Sequence, residues 1–340
     1  MALNFMMIKH VHVNPWNSSS VTEFIILGFP GTQKVQVSLF ILFLAMYLLS
    51  ITGNIAIIIT IRMDSRLHTP MYLFLGNLSF LDMGYTSTTV PKLLSILLTE
   101  VKTIPFAGCL LQSYVFFFLG TAECFLLAVM AYDRYVAICY PLRYSTIMSK
   151  RVCKWLIIGS WIGGCLAPLV AAFLVISLPF CGPNVVNHFF CDIPPLLKLA
   201  CVDTYRTQKA IFVLSALVIL STFLSTLVSY MYIVITILRI PSAEGQHKTF
   251  STCTSHLTVV SLYYGTVIFM YVSPTARSSF NMNKIVAVVY SVITPTLNPM
   301  IYSLRNQDMK RALRKILEKK PKLVRNCLMK HNDMPQGQGT

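Results

Sequence analysis

Met130–Cys139 reads Met-Ala-Tyr-Asp-Arg-Tyr-Val-Ala-Ile-Cys and puts an acid, a base and a tyrosine (Asp133, Arg134, Tyr135) at the foot of a long apolar run reaching back to about Ala107. Charge is expensive inside a bilayer, so a pair of this kind belongs at the edge of the hydrocarbon, near water. Adjacent residues on a helix point about 100° apart, which leaves Arg134 free to reach for something other than Asp133. Two readings compete. One is an arginine snorkelling at the end of a span; the other is a functional cytoplasmic end. The rest of the chain decides between them.

Of the 340 residues, 55% are hydrophobic and only 12% charged, and the mean hydropathy is +0.65. Soluble domains carry about 25% charged residues, so the composition is that of a membrane protein. Segments apolar over the roughly 20 residues needed to cross a bilayer are Val37–Ile61, Met71–Leu94, Ala107–Ile138, Val152–Ile176, Ala210–Leu238, Phe250–Tyr271 and Ile285–Leu304. The predicted fold is therefore an all-α membrane protein, a seven-transmembrane helix bundle. The second span is the weakest by hydropathy, because Asn77, Asp82 and the cluster Thr86–Thr89 interrupt it.

The net charge of +16 does not point to nucleic acid. Ten of the 28 Lys and Arg follow Leu304, and the aromatics lie in apolar runs rather than among the basic residues. A basic tail beside a membrane reads as contact with anionic lipid and an acidic partner. Lys and Arg concentrate in the loops that face the cytoplasm if the amino terminus is outside. The sequon Asn17-Ser18-Ser19 ahead of the first span agrees with that orientation and marks Asn17 for glycosylation. Met1–Ser20 is polar and interrupted by Pro15, so the first span is expected to serve as its own insertion signal. The chain then divides into an extracellular amino terminus (1–36), the bundle (37–304), a short amphipathic helix on the inner leaflet (305–318) and a disordered basic tail (319–340). In that amphipathic segment Met309, Leu313, Ile316 and Leu317 share one helical face, with Lys310, Arg311, Arg314 and Lys315 largely opposite.

Met130–Cys139 resembles the third-helix signature of vertebrate olfactory (odorant) receptors, a branch of the rhodopsin-like (class A) G-protein-coupled receptors. The resemblance extends over nearly the whole chain, roughly Asn17 to Leu317. It includes Gly53-Asn54, Leu67-His68-Thr69-Pro70-Met71-Tyr72, Ser229-Tyr230, Lys248-Thr249-Phe250-Ser251-Thr252-Cys253-Thr254-Ser255-His256-Leu257 and Pro295-Thr296-Leu297-Asn298-Pro299-Met300-Ile301-Tyr302. The sixth-helix string is the most specific, since other rhodopsin-like receptors lack it. Tyr263 is a departure, because olfactory receptors more often carry Phe there.

The ten cysteines read accordingly. Cys109, Cys181, Cys191 and Cys201 face the oxidising side, and four cysteines allow three connectivities. The resemblance implies Cys109–Cys191 and Cys181–Cys201. Metal binding is the competing reading, and it lacks the paired, closely spaced cysteines of a zinc site.

Asp82 and Glu123 are acids within the spans, with Asn298 at comparable depth. Intramembrane carboxylates face the bundle interior and carry function by default. One reading is a protonated acid bonded to its neighbours. The other is a hydrated polar cavity linking Asp82, Glu123 and Asn298, able to hold sodium. Farther out, Phe117, Gly120, Thr121 and Cys124 share one face of the third helix, and Tyr264, Val267, Ile268 and Tyr271 repeat the spacing on the sixth. Leu214, Ser215 and Val218 add a third wall. Such stripes are usually packing, but an apolar, aromatic chamber with a few hydroxyls is also the make-up of a small-molecule pocket. Gly120 leaves space between Phe117 and Thr121. The resemblance implies that these positions line the odorant pocket. Phe116 stands where amine receptors carry an Asp, so the expected ligand is small, apolar and mostly neutral.

The resemblance further implies signalling by Asp133, Arg134, Tyr135, Tyr230, His256, Asn298, Pro299 and Tyr302. The partner would be the stimulatory olfactory G protein, raising cyclic AMP from the plasma membrane. A related receptor for a non-odorant metabolite is the alternative. Transport is a rival class, but the chain shows no paired repeats with interrupted helices. An enzyme is not expected, as no nucleophile–base pair or metal cluster appears.

Overall fold

The computed structural model describes residues 21–99, 102–181, 183–272, 280–305 and 307–315. Asn17, Ile316, Leu317 and the tail lie outside them. Helices run Gln33–Met63, Pro70–Leu98, Phe106–Cys139, Lys150–Ile176, Tyr205–Leu238 and Ala243–Tyr271. The seventh span is composite: a helix Phe280–Val288, a π turn Val289–Ile293 and a helix Thr294–Arg305. Together they form a seven-helix bundle.

The helices outrun the apolar segments at almost every end. Hydropathy marks the part that meets lipid, whereas the backbone ladder continues until a cap stops it. Ser242 accepts from the Gly245 amide and starts the sixth helix seven residues before Phe250. Ser149 caps the fourth helix at Val152 N–H, and Pro70 opens the second at a position where its missing N–H costs nothing. Six of the spans are long and apolar enough to cross a membrane on composition alone; the second is the exception, as its interruptions foreshadow. Its polar groups are buried instead, with Asp82, Thr86 and Thr89 fully shielded by protein.

The third helix is the hub and packs against the second, fourth, fifth and sixth. It approaches the fourth closely at Gly164, where an added Cβ would lie 2.6 Å from the Cβ of Ala122. A 307–315 helix follows the seventh span. Met309 and Ala312 are buried while Arg311, Arg314 and Lys315 are exposed.

The end of the bundle nearest the start of the first helix carries strands that sequence reasoning did not anticipate. Strand β1 (Glu23–Ile26) lies centrally, antiparallel to β2 (Thr103–Pro105) and parallel to β3 (Val185–Val186). Phe24 and Ile26 alternate inward on β1 and are fully buried. Lys284 donates to the Gly28 carbonyl at 2.8 Å and ties this segment to the seventh span. Gly28 adopts φ +66°, a conformation in which any side chain would be strained.

Candidate functional site

Two chambers lie under the loop that joins the fourth and fifth helices. The inner one, about 180 Å³, is walled by the third, fourth, fifth and sixth helices, with Ala167, Pro168, Val170 and Ala171 supplied by the fourth. Phe116, Phe117, Gly120, Thr121 and Cys124 line it from the third helix, Leu214, Ser215 and Val218 from the fifth, and Val267 and Tyr271 from the sixth. Tyr264 and Ile268, expected on the same face, do not line it. Tyr264 lies alongside, its hydroxyl donating to the Cys124 carbonyl at 3.0 Å and its ring against Phe223. Tyr263 takes the place in the wall. Val267 and Tyr271 fall one and two turns beyond Tyr263, so that face explains the sixth helix better than one starting at Tyr264.

Tyr263 also extends the reading of Gly120. Its hydroxyl donates to the Gly120 carbonyl at 2.6 Å and lies 3.7 Å from the Cys124 sulfur. A Cβ at position 120 would sit 3.1 Å from the Tyr85 hydroxyl and 3.5 Å from that of Tyr263. The glycine therefore admits two tyrosines as well as bordering the chamber. Sequence reasoning also missed Tyr85, which stacks on Phe116 at 4.6 Å, and Ile193 from the loop. No periodicity links residues on different elements to one wall.

The outer chamber, about 240 Å³, shares Phe117, Ile193, Ser215 and Tyr271 with the inner one. Its roof comes from the loop, where Cys109–Cys191 and Cys181–Cys201 are both formed. His188, Phe189, Phe190, Cys191 and Asp192 are all buried there. Asp192 is a carboxylate that the third-helix argument overlooked. It caps the short helix Ile193–Leu197 by accepting from Ile193 N–H at 2.9 Å. Burial pushes its carboxyl up to about 7, opposed by hydrogen bonds from Ile193 and Tyr271. Burial, then the Lys284 ammonium, drives His188 down to about 3, so its ring is neutral at physiological pH.

Deeper in the bundle, Asn298 donates to both oxygens of Asp82, at 3.0 and 3.1 Å. Glu123 is buried with neither carboxyl oxygen hydrogen-bonded, and the Asn298 Oδ1 and the Tyr302 hydroxyl are likewise unpartnered. At the opposite end of the bundle Arg134 lies 3.7 Å from Asp133. The expectation that Arg134 reaches past its neighbour is thus not met here. Long side chains bend back across 100° when no better partner is in range. Asp133 also accepts from the Tyr144 hydroxyl at 2.7 Å. Tyr230 and His256 share a 2.7 Å hydrogen bond between the fifth and sixth helices. Tyr135 packs on Tyr232 and Tyr140 at 5.7 Å each. Pro299 lies within the last helix of the seventh span, against Gly53.

The bundle matches the crystal structure of squid rhodopsin with a TM-score of 0.65, covering 92% of this chain and 98% of that one at 18% identity, which speaks for the fold. The family model described as Olfactory receptor matches residues 43–320. The chain belongs to the olfactory receptor family. Human olfactory receptor 6N1 is 53% identical over 303 residues, spanning 89% of this chain and 97% of that receptor. Human olfactory receptor 11L1 is 51% identical over 308 residues (91% and 96%), and mouse olfactory receptor 5AR1 is 50% identical over 305 (90% and 98%). This olfactory receptor is accordingly a multi-pass membrane protein and not an enzyme. Its family implies odorant ligands and coupling to a G protein.

Proposed function

We propose that this receptor binds small, mostly neutral, apolar volatiles in the inner chamber and activates the stimulatory olfactory G protein, raising cyclic AMP. The observation that carries the reading is the inner chamber itself. It lies between the third, fourth, fifth and sixth helices, is lined by aromatic and aliphatic side chains with a few hydroxyls, and stands above a cytoplasmic end joined by single polar contacts. The amino terminus is outside and the carboxyl terminus inside. The 307–315 helix lies on the inner leaflet with its basic face toward anionic lipid.

A ligand shifts the bundle only by its differential affinity for two arrangements. Val267 and Tyr271 of the sixth helix touch the ligand, while Tyr264 hands that contact down to Cys124 and Phe223. At the far end of the same helix, release of the Tyr230–His256 bond lets Arg134, Tyr230 and Tyr302 rearrange around Asp133 and Tyr135. Pro299 and the π turn give the seventh span local freedom, since both interrupt the regular ladder. The unpartnered oxygens of Glu123 and Asn298 beside Asp82 suit a sodium ion, for which oxygen donors of this charge are appropriate. Such an ion would supply positive charge to the two acids; Asp82, Glu123 and Asn298 are the residues that would hold it.

Arg134→Ala in surface-expressed receptor is expected to abolish volatile-evoked cyclic AMP across a broad volatile library. Intact responses in that variant would remove the mechanism, and silence of the wild-type receptor to the whole library would remove the function. For the ion, agonist potency is expected to vary with sodium in wild type but not in Asp82→Asn.

A further inference from the structure

The outer chamber contains polar groups that neither the receptor mechanism nor the local fold uses. His188 is 2% exposed; the Phe190 backbone acts on its ring, yet neither ring nitrogen has a partner at full hydrogen-bond geometry. Its ring is held by stacking on Phe189 at 4.8 Å and an edge contact with Phe190 at 4.6 Å. Asn283, on the Phe280–Val288 helix, buries a side-chain oxygen that also lacks a partner. Both residues line the same chamber. Buried polar atoms left unpaired are costly, so two residues aimed at one cavity point to a group that satisfies them when bound.

We propose that the outer chamber is a head-group subsite in which His188 and Asn283 bind an alcohol hydroxyl whose hydrocarbon chain fills the inner chamber. The inference rests on the receptor reading above and specifies its ligand class. Three observations favour a hydroxyl. A neutral histidine offers one donor and one acceptor, and Asn283 adds an acceptor oxygen. A hydroxyl accepts from the histidine N–H and donates its one proton to one of the two acceptors. An aldehyde or ester only accepts, so it leaves the acceptors unmet. An ammonium donates three times and would meet Asp192 too. However, Lys284 lies near enough to act on His188, and Lys198 also lines the chamber, so a further cation is opposed. The chambers communicate through Phe117, Ile193, Ser215 and Tyr271, giving one molecule a polar upper end and an apolar lower one.

The test uses the full-length receptor at the cell surface and reads nucleotide exchange on a co-expressed G protein. The probes are straight-chain primary alcohols of hexyl to decyl length with the matching aldehydes and amines. In wild type the alcohols are expected to be more potent than the aldehydes by about tenfold or more, because a site built for a hydroxyl rejects its analogue. Asn283→Leu is expected to shrink that gap by weakening the alcohols while leaving the aldehydes nearly unchanged, and His188→Phe, which also removes the N–H an aldehyde would accept from, to weaken both and the alcohols more. Asn283→Leu lies on a helix, outside the disulfide-tied loop, and still reads the gap should His188→Phe be retained inside the cell. Equal potency of alcohols and aldehydes, amines outranking alcohols, or a gap that Asn283→Leu leaves undiminished overturns the proposal. Failure of the wild type to answer any alcohol also overturns it, whereas answers to other volatiles leave the receptor reading standing.

Discussion

At the extracellular end, two disulfides, a three-stranded sheet and the Lys284–Gly28 contact bind the loops to one another and to the seventh span. At the cytoplasmic end, the Tyr230–His256 bond joins the fifth and sixth helices, while the Tyr144 hydroxyl and the 3.7 Å Arg134 contact meet at Asp133. Covalent and sheet contacts cost several kcal/mol to break, whereas a single hydrogen bond is worth about 1 kcal/mol. A ligand whose differential affinity is modest therefore cannot rearrange the roof above it. It can move the opposite end, and that asymmetry gives the signal its direction.

Breaking the roof should have the largest effect. Cys109→Ser opens a link across 82 residues and is expected to cost about 2–5 kcal/mol and empty the cell surface, as measured by labelling intact cells. Cys181→Ser opens a link across only 20 residues. On chain-entropy grounds it should cost about 1 kcal/mol less and leave more receptor at the surface. Equal losses would mean that the roof is held by something other than loop closure.

The roof should also hide a pH dependence. Between about pH 4 and 6.5 the folded loop holds a proton on Asp192 that the unfolded chain has released, since burial moves that carboxyl from 3.8 up to about 7. Over the same range it lacks a proton on His188 that the unfolded chain has gained, since burial moves that ring from 6.5 down to about 3. The Asp192 contribution to stability falls as pH rises, and the His188 contribution falls as pH drops. The slopes oppose, so wild-type stability should be nearly flat there. Asp192→Asn removes one slope, and the variant should lose up to about 1.4 kcal/mol per unit of acidification, read from thermal unfolding in lipid discs at two pH values. A flat profile in the variant would show that His188 titrates as an exposed ring.

Loosening the other end should have a smaller and opposite consequence. His256→Phe keeps an aromatic ring, though a larger one, and removes the bond to Tyr230. A loss of about 1 kcal/mol from the resting arrangement should raise ligand-independent nucleotide exchange by roughly fivefold. Unchanged basal exchange would mean that this bond survives activation. The smallest effect is expected between the two ends. Tyr263→Phe removes the hydroxyl that donates to the Gly120 carbonyl, costing about 0.5–1.5 kcal/mol of stability with a shift in ligand potency no larger than a few fold.

Much of the cavity was legible because helical periodicity places residues on faces. Phe117, Gly120, Thr121 and Cys124 needed only one helix to be aligned. The same rule erred at the sixth helix, where Tyr263 and Tyr264 start overlapping stripes and only the neighbouring third helix selects between them. Gly120 was read only in part for a related reason: what fills the space beside a glycine comes from another element, here Tyr85 and Tyr263. Of the roof, the resemblance supplied the two disulfides and little else. His188, Asp192 and Asn283 lie far apart in sequence or off any periodic element, and strand β1 pairs across 80 and 160 residues.

By itself the sequence determined the number of spans, the family and the chemistry available along each helix, because hydropathy and local motifs are properties of contiguous residues. Only the tertiary structure decided which tyrosine lines the cavity, that Arg134 turns back to Asp133, and that a histidine, an aspartate and an asparagine meet above an apolar chamber. Those outcomes depend on distances between elements, and the packing that sets such distances has no counterpart in the order of residues along one of them.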